Sequence, residues 1–155
     1  MTIRASLPDP SPISGNPHHA EVLVLNCMDF RLIGAVSDYL KSRGLEGKYD
    51  QITLAGGAIG VMSDQTEPWA NTFWQHVALA RKLHGIRKII IIDHRDCGAC
   101  KAFVSPDCAD QRDRETAIHT QWMKALAREI TNREPNLEIE LLLMDLDGTV
   151  EPVAR

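Results

Sequence analysis

Four consecutive isoleucines, Ile89 to Ile92, set between Arg87-Lys88 and Asp93, constrain the fold of this chain more than any other segment. A strand shows successive side chains to opposite faces, so an unbroken apolar run needs cover on both. Such strands lie inside parallel sheets flanked by helices. Shorter runs of the same kind occur at Glu21-Val-Leu-Val-Leu-Asn26, at Gln51-Ile-Thr-Leu54 and from Glu138 to Met144, the last expected strand. Between them lie helical patterns. Ile33 to Arg43 is one, with Gly44 as its stop. A second runs from Pro68 to His84, where Trp69, Phe73, Val77, Ala80 and His84 recur at helical spacing before Gly85. Arg112 to Asn132 is a third, with Ile118, Trp122, Ala125, Leu126 and Ile130 on one face and Pro135 beyond its end. Strands separated by helices make βαβ units. The expected fold class is therefore α/β, a mostly parallel β-sheet with helices on both faces in a single domain.

A chain of 155 residues suits one hydrophobic core. Residues 1–17 carry Pro8, Pro10, Pro12 and Pro17 with little apolar surface, and read as a flexible arm that a partner subunit can order. The domain then spans 18–155. A net charge of -4 argues against a nucleic-acid binder, which would need a basic face. The apolar runs are too short for a membrane span. The first residues lack the apolar stretch of a secretory signal. Four cysteines in that setting point to a reducing, cytoplasmic compartment, where thiolates serve metals or chemistry rather than disulfides.

Parallel α/β sheets carry their functional groups at the carboxyl ends of strands. Cys27 directly follows the first strand, His94 follows the isoleucine strand, and Cys97 stands three residues on, in a turn that opens a helix. Adjacent first and isoleucine strands would bring the three together. Two thiolates and an imidazole suit zinc and leave a fourth position open for water. Amide dipoles at a helix start would also favour a Cys97 thiolate. Taken singly, each residue is equally well explained as core packing, and His-x-x-Cys alone is a weak signal.

The residues around these three resemble a known family. Cys27-Met-Asp-Phe-Arg31 matches the Cys-x-Asp-x-Arg motif of the β-class carbonic anhydrases, and His94-Arg-Asp-Cys97-Gly98 matches their His-x-x-Cys-Gly. Ala55-Gly56-Gly57 sits where that family carries an Ala-Gly loop, and the resemblance runs from about Val22 to Leu143. It implies one Zn²⁺ per chain on Cys27, His94 and Cys97. It also implies an Asp29–Arg31 pair in which the guanidinium restrains the carboxylate, and a substrate pocket at Ala55, Gly56 and Gly57. The implied reaction is reversible hydration of carbon dioxide to bicarbonate by a zinc-bound hydroxide, since zinc brings the pKa of its water to about 7. The implied assembly is a homodimer or a dimer of dimers. His18, His19, His76, His84 and His119 are proton carriers by pKa alone, each equally a surface or helix-face histidine.

The pattern departs from the family in three places. Thr53-Leu54 replaces the common Arg-Asn, Asp93 precedes His94 where glycine is common, and little chain follows the last expected strand. The first departure keeps two alternatives open: hydrolysis of carbonyl sulfide or carbon disulfide, and a non-catalytic zinc protein whose fourth position Asp29 closes. Two further motifs mislead. Cys97 and Cys100 form a Cys-x-x-Cys, but metal binding engages Cys97 and turns Cys100 elsewhere on the helix, and Cys108 fits no ligand pattern, so neither Cys100 nor Cys108 is assigned a role. Leu143-Met-Asp145-Leu-Asp147-Gly-Thr-Val150 resembles the nucleophile motif of haloacid-dehalogenase-type phosphatases, yet the residues after it cannot supply that family's lysine and magnesium ligands. A strand followed by an Asp-Gly turn explains it.

Overall fold

A computed structural model describes residues 18–154. The arm expected at 1–17 lies outside these residues. The described chain runs β1 (Val22–Asn26), α1 (Ile33–Ser42), β2 (Tyr49–Thr53), α2 (Ala58–Met62), α3 (Glu67–Leu79), β3 (Lys88–His94), α4 (Gly98–Phe103), α5 (Arg112–Arg133), β4 (Glu138–Met144) and β5 (Val150–Pro152). The five strands form one sheet in the order β2-β1-β3-β4-β5. Every pairing is parallel except β4 with β5.

The isoleucine run behaves as its composition requires. Ile89 and Ile91 face one layer, where they pack with Leu23 and Leu25 of β1 beneath α2, α3 and α5. Ile90 and Ile92 face the other, packing with Val22, Val24, Leu142 and Met144 beneath Val36 and Leu40 of α1. The first layer is the larger and holds Phe73, Val77, Met123, Leu126 and Ile130. Burying a side chain of this size contributes about 1.5–3 kcal/mol, so the central strand is anchored from both sides.

Two elements differ from expectation. Glu138–Met144 is not the last strand: the chain turns back at Asp145–Gly148 and adds β5 antiparallel at the sheet edge. Gly148, at φ 87, makes that turn, and Asp147 accepts the Thr149 N–H at 2.8 Å. The phosphatase-like motif is thus the turn of an edge hairpin. The helix expected to end at His84 is α-helical to Leu79 and closes with a π-helical turn, Ala80–His84, capped by Gly85 in the left-handed region. Among the described residues no helix is long and apolar enough to cross a membrane.

Candidate metal centre

The β1–β3 register pairs Asn26 with Ile92, so the next residue of β1, Cys27, emerges beside the end of β3. His94 is the last residue of β3, not the first residue after it. The chain then turns through Asp96, a non-glycine at φ 55, and presents Cys97 as the N-cap of α4. Sheet register and one tight turn therefore bring together residues far apart in sequence. The ligand atoms of Cys27, His94 and Cys97 lie within 4.8 Å of one another, and all three residues are buried.

The donor set fits a metal. His94 Nδ1 lies 2.7 Å from the Arg95 carbonyl oxygen and donates to it, which fixes the tautomer and leaves Nε2 with its lone pair. That buried Nε2 makes no hydrogen bond of normal geometry; its polar neighbours are the two sulfurs within 4.8 Å and Asp29 Oδ2 at 3.8 Å. An unpartnered buried nitrogen costs free energy unless something electrophilic meets it, and a cation between it and two sulfurs would do so. Cys27 accepts a hydrogen bond from the Gly56 N–H at 3.2 Å. The hydrogen bond from Cys97 is the main cause that holds the Cys27 thiol far below its ordinary pKa; burial opposes it, and His94 and the Gly56 amide add to the lowering. Cys97 moves upward for the converse reason, its proton held by the Cys27 sulfur and its own charge disfavoured by burial. Burial works against charge on His94, but contact with Cys27 outweighs it and its pKa is raised. The three share protons as one cluster, and a cation that displaces those protons would relieve it.

Asp29 and Arg31 stand beside the cluster. Arg31 Nε donates to Asp29 Oδ1 at 3.0 Å and Nη2 to Oδ2 at 2.7 Å, a bidentate contact. Those bonds from Arg31 hold the Asp29 carboxyl at about 2. Asp29 Oδ2 is 3.8 Å from His94 Nε2, at the mouth of the site. Arg31 is itself anchored: it donates to Asp96 Oδ2 at 2.9 Å and to the Asp96 carbonyl at 3.0 Å. Lys101 also contacts Asp96, and the Asp96 N–H donates to Glu115. Sequence reasoning missed Asp96; its signal was a polar residue inside the tight His-x-x-Cys turn, where a positive φ favours Asp, Asn or Gly.

Gly56 and Gly57 form the wall opposite. Gly57 has φ +53, and a Cβ there would lie 2.5 Å from Asp93 Oδ1. The glycines thus let backbone reach the sulfur of Cys27, and Ala55 lies partly buried beside them. Asp93 offers no ligand atom to the cluster, though its charge adds to the upward shift of Cys97. Its Oδ1 accepts the Ala58 N–H at 3.0 Å, and its Oδ2 pairs with His119 Nδ1 at 3.1 Å. His119 is accordingly not a surface histidine but fully buried. His76 bonds the Thr72 carbonyl, and His84 pairs with Asp50 at the opposite, amino end of the strands.

The remaining cysteines overturn the expectation that thiolates here serve metals or chemistry rather than disulfides. Cys100 and Cys108 are joined in a disulfide, while Cys27 and Cys97 are free. The Cys-x-x-Cys spacing is, as expected, not a redox pair, because Cys100 has its partner in the loop before α5.

Comparison with known proteins agrees with this geometry. Residues 18–154 match the model of a family described as "Putative carbonic anhydrase". Uncharacterized proteins of Rickettsia bellii and Rickettsia conorii are 31% and 32% identical over 136 residues, covering 88% of this chain and 83% and 73% of theirs. A carbonic anhydrase from Glaciozyma antarctica superposes with TM-score 0.62 at 21% identity, covering 93% of this chain and 89% of that one. Tetrameric β-carbonic anhydrases from Sordaria macrospora give 0.63 at 14% identity, with coverage of 89% and 82%. The chain belongs to the family described as "Putative carbonic anhydrase", and its fold is that of the β-carbonic anhydrases.

Proposed function

We propose that this protein catalyses the reversible hydration of carbon dioxide, with Zn²⁺ held by Cys27, His94 and Cys97. The observation that carries the reading is the convergence of two free sulfurs and an unpartnered His94 Nε2 in one buried cluster beside a restrained carboxylate. Zinc in such a site supplies a water that ionises near neutral pH. The chain's own residues then do the following. Asp29, with both oxygens engaged by Arg31, is kept from swinging onto the metal and stays ionised, so Oδ2 accepts a hydrogen bond from the attacking water and orients it. Arg31, through Asp96, ties that carboxylate to the turn bearing Cys97. The Gly56 amide stabilises the Cys27 thiolate. The Ala55-Gly56-Gly57 backbone bounds the space where a small linear substrate would sit.

The assembly that goes with this reading is a homodimer or a pair of dimers. Met28, Phe30 and Ile33 are 64%, 83% and 63% exposed immediately after β1, on the edge of the site. Leu146, in the β4–β5 turn, is also exposed, and a second copy would cover these side chains. A cytoplasmic location is proposed on the free thiols of Cys27 and Cys97 alone, since the Cys100–Cys108 disulfide speaks against a reducing compartment.

The test is carbon dioxide hydration by zinc-loaded protein across pH, with Asp29→Ala and Cys27→Ser beside wild type. Expected are a wild-type rate far above buffer, loss of rate without loss of zinc in Asp29→Ala, and loss of zinc in Cys27→Ser. A fully zinc-loaded wild type that matches buffer overturns the reading. Because Leu54 stands in place of a polar residue, carbonyl sulfide and carbon disulfide belong in the same assay, with hydrogen sulfide as readout.

A further inference from the structure

We propose that Cys100, Cys108 and His119 form a second metal site, which takes a thiophilic divalent cation of the Zn²⁺ type when the Cys100–Cys108 disulfide is reduced. The three residues come from α4, from the loop after it and from α5, and each is 0% exposed. Their ligand atoms lie within 4.8 Å of one another. Ile59, Ala99, Phe103, Val104, Ile118 and Trp122 pack about the sulfurs, in one cluster with Cys27 and Cys97.

A disulfide alone does not explain His119. A bridged cystine needs no imidazole beside it, and an apolar side chain would pack there without leaving a polar atom buried. Here the imidazole is oriented like a ligand. Nδ1 faces Asp93 Oδ2 at 3.1 Å, and the other Asp93 oxygen is fixed by the Ala58 N–H. The Nδ1–H donates to the carboxylate oxygen, and Nε2, which keeps the lone pair, is buried with no partner. A carboxylate that orients a histidine whose other nitrogen meets a metal is a recurring second layer of metal sites. Two thiolates with a divalent cation are neutral, which lowers the cost of burying the ion.

The disulfide and the metal exclude each other, because a sulfur bonded to sulfur is no thiolate. Reduction by a dithiol breaks the Cys100–Cys108 bond, yields two thiols and leaves the reductant as its own disulfide. Binding the cation then releases the two thiol protons. The site shares α4 and a packed cluster with the first centre but none of its ligands, and its test does not need that centre to work.

The experiment uses the full chain. Protein is reduced anaerobically with a dithiol, freed of it by gel filtration, equilibrated with Zn²⁺ and assayed for metal per chain beside the oxidised form. The expected result is one more zinc per chain on reduction, with a stronger sulfur-to-cobalt absorption when Co²⁺ replaces zinc. The variant Cys27→Ser/Cys97→Ser, which lacks the first centre, should take up zinc only when reduced. His119→Ala, which keeps both sulfurs, should bind the second ion at least about tenfold more weakly. Equal zinc in oxidised and reduced wild type, with thiol titration showing Cys100 and Cys108 free, overturns the proposal. So does His119→Ala with unchanged affinity. If instead the first centre holds no metal, oxidised wild type is zinc-free, and the gain on reduction still reads the second site.

Discussion

Replacing Arg31 by alanine removes its bonds to Asp29 and to Asp96 together, so the single variant over-reads the Asp29–Arg31 pair. A double-mutant cycle with Asp29→Ala isolates it, because the Asp96 contacts are lost in both arms. A carboxyl held at about 2 in the fold, against about 3.9 in the unfolded chain, sets an upper bound of about 2.6 kcal/mol. The Arg31 side chain is 35% exposed, so water screens the pair and the coupling should be nearer 1 kcal/mol. The sign of the pH dependence follows from the lowered pKa. The stabilisation is fully present above about pH 4 and is lost as the pH falls through about 2. Urea unfolding of metal-free protein measures it without interference from metal release in acid. A coupling within about 0.3 kcal/mol of zero at pH 7, or one that persists unchanged at pH 2, refutes the reasoning. With metal present, Arg31→Ala should retain zinc yet lose rate, because the freed Asp29 lies 3.8 Å from His94 Nε2 and can reach the open coordination position.

Gly57→Ala must hold a Cβ at φ +53 and 2.5 Å from the buried Asp93, and should cost at least about 2 kcal/mol, whereas Gly34→Ala, with nothing within 4 Å in α1, should gain about 0.5–1 kcal/mol; urea melts that give both changes the same sign contradict this. Reducing Cys100–Cys108 in the presence of a chelator opens a short loop with a sequence separation of 8, and should cost about 2.5 kcal/mol by chain entropy; an unchanged melting curve speaks against a formed disulfide.

The sheet was legible because burial on two faces leaves no polar positions, as at Ile89–Ile92, and because Phe73 and Val77 on α3 and Leu126 and Ile130 on α5 keep helical spacing. The convergence of Cys27, His94 and Cys97 was legible because strand ends in parallel sheets converge by construction. What escaped was short or dependent on tertiary contact. β5 is three residues ending in Pro152, too brief to show alternation and allowed only at an edge. The helix Ala58–Met62 was hidden by the glycines before it, whose composition reads as loop. Cys100 finds Cys108 only after the 104–111 loop folds back over α4, and no local spacing announces it. The Asp93–His119 pair joins β3 to α5 across 26 residues, and neither residue's neighbours in sequence mark it as a partner.

X-ray absorption at the zinc edge of the oxidised protein, in which Cys100 and Cys108 are bridged, addresses the metal centre most directly. Cys27, His94 and Cys97 with one exchangeable oxygen give two sulfur scatterers at about 2.3 Å and two nitrogen or oxygen scatterers at about 2.0 Å. A shell without sulfur, a shell of four sulfurs, or folded protein that takes up no zinc would contradict the account.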